Sequence, residues 1–170
     1  EIICVGLRSC LPGRNYNIRC HVIPDMWATL YVLNTGGKAL EWFHQTCCRD
    51  LPVDTFYQEY IPNTIQDFLE SGSEEHLPEY EVYLAGDRYS TQTKCASFGK
   101  LTLGTTREEM LMGMIRGNNR YMARHLAEME TKVQLSQTVH LTGGGISKAF
   151  IQCKNRWMGN YNYILKDNSS

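Results

Sequence analysis

Polar and apolar positions divide the chain into strand-like and helix-like stretches. Over the first third, Glu1 to Val5, Ile18 to Ile23 and Trp27 to Leu33 are short β-branched and aromatic runs, separated by Pro12-Gly13 and Pro24-Asp25. That punctuation predicts strands joined as antiparallel hairpins. Gly36-Gly37 ends the run, and Ala39, Leu40, Trp42 and Phe43 then recur with helical spacing to about Cys48. A second helix fits Asp54 to Glu70, where Pro62 must start or kink part of it because it has no N–H to give.

Ser71 to Glu79 is a polar, acidic connection, followed by Tyr80 to Ala85 as an extended segment and by loop residues through Gly104. The clearest helix comes next. Thr106 and Glu109 form a capping box, and Leu111, Met114, Ile115, Met122, Leu126 and Met129 lay an apolar stripe whose methionines read as core filler. Arg116, Arg120 and Arg124 fall on one face of it, expected to be solvated. Thr138 to Thr142 then predicts a strand, Gly143-Gly144-Gly145 a tight turn, Ile146 to Met158 an amphipathic helix and Tyr161 to Leu165 a last strand. The domain is therefore of mixed α/β class.

Composition narrows the picture. At 170 residues the chain is long enough for one domain with a sizeable core. Its 17 Lys+Arg against 18 Asp+Glu, a formal charge of −1, give no global electrostatic reason to expect nucleic acid or an acidic membrane as partner. Charge is uneven, with Asp67, Glu70, Glu74, Glu75, Glu79 and Glu81 in one stretch and Lys148, Lys154, Arg156 and Lys166 in another; both are expected to be solvated faces. No apolar run approaches the ~20 residues of a membrane helix. Seven cysteines, with an adjacent pair and no C-x-x-C, argue against a disulfide framework or zinc site and for reduced, mostly buried thiols in a cytoplasmic protein.

The sharpest candidate for chemistry is the strand, triple-glycine turn and helix over 138–158. Glycines let a backbone approach a ligand closely, and a following helix N-terminus favours phosphate. It is neither a P-loop nor a dinucleotide fingerprint, since Lys148 stands where the last spaced glycine would fall. Phosphate or nucleotide binding and a plain tight turn both remain open on local grounds. Gly145-Ile146-Ser147-Lys148-Ala149 is a near match to a hydrolase nucleophile elbow, but that order needs a histidine after the serine and the last one here is His140. The five histidines are scattered without metal-ligand spacing. Gly36-Gly37 repeats the logic of a glycine loop feeding a helix.

Taken in order, four segments resemble the C-terminal half of the FGGY carbohydrate kinases. They are Gly36-Gly37 leading to Leu40-Glu41-Trp42, then Tyr83-Leu84-Ala85-Gly86-Asp87-Arg88, then Gly99-Lys100-Leu101-Thr102, and finally His140-Leu141-Thr142-Gly143-Gly144-Gly145 with Gln152 behind it. The resemblance implies an actin-like ATPase (ribonuclease H-like) domain with a mixed sheet flanked by helices, and that residues 1–170 are the single C-terminal-half domain of a two-domain sugar kinase. It implies transfer of the γ-phosphoryl of ATP, with Mg2+, to a sugar or polyol hydroxyl. It also implies that Gly36, Gly37, Gly143, Gly144 and Gly145 approach the nucleotide through backbone atoms, with Glu41 and Lys148 near the adenine, while Asp87 and Arg88 fix loop structure. The catalytic Asp and phosphate-binding Thr are expected upstream of Glu1, and a closing helix beyond Ser170, so the chain is expected to be truncated at both ends, inactive alone, and prone to self-association through an exposed cleft and an unpaired final strand. Asp25, Asp50, Asp54, Asp67 and Asp167 carry no context marking a base. The family's Leu-Glu-Gly is Ile115-Arg116-Gly117 here, which suggests a divergent subgroup; the alternative in another class is a non-catalytic actin-like module that binds nucleotide or a partner.

Overall fold

A computed structural model describes residues 1–143 and 147–166. Strands β1 (Ile2–Leu7), β2 (Asn17–Cys20) and β3 (Trp27–Val32) form an antiparallel sheet in the order β1-β3-β2. The predicted strands and their antiparallel sense are present, but β1 pairs with β3 and not with its neighbour in sequence, in register Ile2↔Val32 to Leu7↔Trp27. The intervening loop folds back instead, held where the Tyr16 hydroxyl donates to Leu11 O at 2.7 Å. Alternation then places Thr29 and Tyr31 on the inner face, both fully buried, with Tyr31 against Tyr16 and His125.

Helix α1 (Gly36–Cys47) begins at the glycines themselves, because Thr35 O already accepts from Ala39 N. Ala39 and Phe43, one turn apart, are fully buried. The second predicted helix is one helical run in three parts: α2 (Val53–Thr55), a π turn (Phe56–Tyr60) and α3 (Ile61–Ser71). Pro62 stands in the first turn of α3, and the widened turn, closed by Ile61 N donating to Phe56 O, lies just before it. A residue without an N–H cannot extend the preceding α-ladder, so the irregularity falls there.

A 3-10 turn (Glu74–His76) leads to β4 (Glu79–Glu81), which pairs antiparallel with β5 (Ser97–Gly99). Helix α4 (Arg107–Glu130) is the spine. Both halves of its capping box form: Glu109 N donates to Thr106 Oγ1 at 3.1 Å and Thr106 N to Glu109 Oε2 at 2.9 Å. Leu111, Met114 and Met122 are fully buried in the main core, and Met129 in the smaller cluster under the first sheet. The 78–80 backbone lies directly on α4 because Gly113 and Gly117 leave room: a Cβ at Gly113 would sit 2.5 Å from Pro78 O, and one at Gly117 2.8 Å from Tyr80 O.

Strand β6 (Thr138–Leu141), helix α5 (Lys148–Trp157) and strand β7 (Asn162–Leu165) close the chain as a parallel β-α-β unit. The expected unpaired last strand is thus paired with β6, along one edge. Among the described residues the expected single mixed sheet is instead three small ones, of three, two and two strands. No helix among them is long and apolar enough to cross a membrane.

Two expectations about charge are overturned. Arg116 is buried at 6% exposure, with its guanidinium donating to Glu74 O, Leu77 O and Pro78 O, while Arg120 and Arg124 remain exposed. Glu74 meets the basic stretch directly, accepting from Arg156 Nε at 2.8 Å, Trp157 Nε1 at 3.0 Å and Arg120 at 3.0 Å. The helix face that points away from the apolar core points at the carbonyls and carboxylate of the 74–78 segment, so folding supplies partners where periodicity alone suggested water. The thiols are free, but Cys4, Cys10, Cys20 and Cys95 are exposed and only Cys48 and Cys153 are buried. The exposed four sit in loops, at sheet edges or on the outward face, where alternation puts them.

Candidate functional site

The first turn of α1 is unusual for what it does not use. Thr35 precedes Gly36 as the N-cap, yet its hydroxyl donates to Val82 O at 3.2 Å and does not cap the helix. The amides of the first turn therefore keep their attraction for an external acceptor. The two glycines have different reasons to be glycine. A Cβ at Gly36 would lie 2.6 Å from Glu1 N, so the chain's own packing excludes a side chain there. A Cβ at Gly37 would meet no described atom outside its own helix within 4 Å, and its backbone is helical. Among the described residues nothing requires Gly37.

Glu41 lies one turn beyond Gly37 on the same side of α1, exposed, with its carboxylate accepting from Gln45 at 3.4 Å. Tyr57, on the π turn, is exposed and close enough that Glu41 adds to the burial that pushes its phenol up. In the later glycine segment, Gly143 takes φ +119°, a conformation that favours glycine, and among the described residues no atom lies within 4 Å of where its Cβ would be. Ser147 caps α5 by accepting from Phe150 N, and Lys148 is exposed as the first residue of that helix. Gly144 and Gly145 lie outside the described residues. Helix α5 is tied to the segment leading into α1 through Glu1, whose N donates to Leu33 O at 2.9 Å and whose carboxylate accepts from Lys154 of α5.

The 83–94 segment packs against the entrance to α1. Asp87 fixes it: its carboxylate is only 8% exposed, accepts from Lys94 Nζ at 2.7 Å and also from Tyr89 N at 2.9 Å. Burial would raise its pKa, but these hydrogen bonds more than offset it and hold the carboxyl below its ordinary range. The Tyr89 hydroxyl reaches the edge of β3, donating to Leu30 O and accepting from Val32 N, where β2 has ended. Arg88 Nε donates to Asn34 Oδ1 at 2.8 Å. The loop and Asn34 line a shallow cavity of about 300 Å³ that is open to solvent. His125 packs edge-on against Tyr121 and Tyr89. Among the described residues no group of three or more His, Cys, Asp or Glu converges as a metal site.

Asn34, Thr35 and Tyr57 are not singled out by the sequence. The one local signal was a pair of residue types favoured at helix caps directly before two glycines. What Thr35 does instead of capping depends on Val82, 47 positions away.

No family model and no curated protein sequence matches the chain. Solved structures match closely in fold. A xylulose kinase from Rhodospirillum rubrum superposes with TM-score 0.75 over 90% of this chain at 15% identity. One from Brucella ovis does so with 0.77 over 99% at 15%, and a ligand-bound one from Lactobacillus acidophilus with 0.79 over 99% at 18%. At such identities the likeness establishes a shared fold. The chain spans about a third of the length of these proteins: 30%, 34% and 34% respectively.

Proposed function

We propose that the chain is the nucleotide-binding half of an ATP-dependent carbohydrate kinase of the FGGY type, with the actin-like ATPase fold. The observation that carries this reading is the correspondence of fold over as much as 99% of the chain with xylulose kinases. Gly37 supports it, since an open, side-chain-free position beside uncapped helix amides is what close approach of an anionic ligand needs.

ATP, when bound, supplies the phosphoryl group that is passed to a sugar or polyol hydroxyl. This chain's part is to bind and orient: the first turn of α1 offers amides, Gly37 leaves the space, and Gly143, Gly144 and Gly145 approach the nucleotide through backbone atoms, with Glu41 and Lys148 toward the base. Mg2+ accompanies the nucleotide; no carboxylate cluster of the described residues fits it, and no step is assigned to it. No residue is assigned as catalytic base. The sugar is held mainly by a second domain, in a cytoplasmic enzyme, and the isolated chain transfers no phosphoryl group. Phosphorylation of any ketose or polyol by the purified 170-residue chain would refute that last statement.

The test is calorimetric titration of MgADP against this chain and its Gly37→Leu variant. Leucine is a good helix former entering empty space, so the fold should persist by circular dichroism. The affinity should fall at least about tenfold, equivalent to about 1.4 kcal/mol. A wild-type chain that does not bind MgADP, or a variant that binds it equally well, overturns the reading.

A further inference from the structure

Within the cavity beside α1 the charges do not cancel. It is lined by Arg88, Lys94 and Asp87 as its charged residues, a sum of +1. Lys94 and Asp87 are spent on each other at 2.7 Å, and Lys94 also lies 4.6 Å above the Tyr83 ring. Arg88 is left. Among the described residues it makes no ion pair, and its one hydrogen bond, from Nε to a neutral amide oxygen of Asn34, orients the guanidinium without neutralising it. The Nη side of the fork stays uncommitted, exposed, and anchored two residues before Gly36. A purely structural tie to Asn34 would not call for a guanidinium. A planar cation whose outer donors are free and whose position is fixed suits two oxygens of a phosphate.

We propose that Arg88 binds the phosphate groups of the nucleotide, whose phosphate end occupies the cavity formed by residues 85–94 and Asn34. The chemistry recognised is a nucleoside di- or triphosphate, and the inference rests on the nucleotide-binding function proposed above. Asp87 and Lys94 shape the loop; Arg88 is the binding residue, and Asn34 positions it.

The experiment titrates MgADP, adenosine and inorganic pyrophosphate into the intact chain and into Arg88→Met, Arg88→Lys and Asn34→Ala. Arg88→Met should weaken MgADP and pyrophosphate by about 10- to 100-fold and leave adenosine unchanged, as expected for loss of charge-assisted hydrogen bonds. Arg88→Lys should recover part of the loss, and Asn34→Ala should lie between, because the cation remains but is no longer held. Melting temperatures of the Arg88 variants should stay within about 2 °C of wild type, since that side chain is exposed. If the wild type binds MgADP and Arg88→Met binds it equally well, this inference fails while the nucleotide-binding function stands. Equal weakening of adenosine and MgADP also overturns it, because that signature belongs to a disturbed fold. A wild-type chain that binds pyrophosphate but not MgADP, or binds neither, refutes the proposed function and this inference with it.

Discussion

Removing the Glu74 carboxylate should measurably destabilise this domain, because it joins three distant segments. Oε1 accepts from Arg156 Nε at 2.8 Å and from the indole N–H of Trp157 at 3.0 Å; Oε2 accepts from Arg120 at 3.0 Å and lies 4.0 Å from Arg116. In Glu74→Ala the Trp157 N–H, on a residue 7% exposed, loses its acceptor, which costs about 1–3 kcal/mol. Arg116, with its side chain 8% exposed, keeps its carbonyl acceptors but loses its counter-charge. Breaking a close buried pair costs about 3–5 kcal/mol, and the 4.0 Å separation together with those carbonyls places this case well below that range. The exposed Arg120 and Arg156 contacts add little. A total near 3 kcal/mol corresponds to a fall of about 6–12 °C in Tm for a domain of this size. Glu74→Gln, which keeps one acceptor oxygen, should lose only about 1 kcal/mol. Urea unfolding followed by Trp fluorescence at pH 7, in low and high salt, reads both variants. A loss below about 1 kcal/mol in Glu74→Ala would show that water replaces the carboxylate and refute the reasoning. Burial works against ionisation of Glu74, yet the Arg156 and Trp157 hydrogen bonds hold its pKa below the ordinary 4.5. Its contribution is therefore complete above that pH and disappears as the pH falls through the lowered folded-state value.

Three further outcomes follow from the geometry. Gly113→Ala gains about 1 kcal/mol of helix propensity but pushes a Cβ to 2.5 Å from Pro78 O, so the displaced backbone should leave it destabilised by about 1–2 kcal/mol in urea unfolding; an unchanged midpoint would mean that the 78–80 segment does not rest on α4. Lys100 holds φ +60°, and its ion pair with Glu79 joins two exposed side chains, so Lys100→Gly should raise stability by about 0.5 kcal/mol, and a clear loss would contradict this. His125 has its pKa lowered from 6.5, first by burial; Arg124 lowers it further, while Glu128 and Asp87 oppose, and the Tyr31, Tyr89 and Tyr121 rings enclose it. The unfolded chain takes up a proton the folded one resists, so stability should fall as pH drops through 6.5, and His125→Phe should flatten the slope below that pH. An unchanged slope would show that His125 is not the group responsible.

What the sequence determined by itself is local. The Thr106–Glu109 capping box, the apolar stripe of α4 and the irregularity before Pro62 each need only a few neighbouring residues, and each stands where spacing and side-chain chemistry put it. The glycine pair that opens α1 was equally visible, as was the order of the segments that carry the likeness to sugar kinases. The tertiary structure decided which partner each surface group finds. Arg116 and Arg124 are equivalent by periodicity, yet one is buried under the carbonyls of the 74–78 segment and the other is in water. Glu74 and Trp157 are 83 positions apart, Thr35 and Val82 are 47, and Arg88 and Asn34 are 54. Gly36 and Gly37 are adjacent and identical in sequence; only the chain returning at Glu1 makes the first a packing requirement and leaves the second open. Hydrophobic periodicity fixes which face turns inward, because burial is non-directional and scales with area. Hydrogen bonds and ion pairs are directional and short-ranged, so their partners exist only after the distant segments have been brought together.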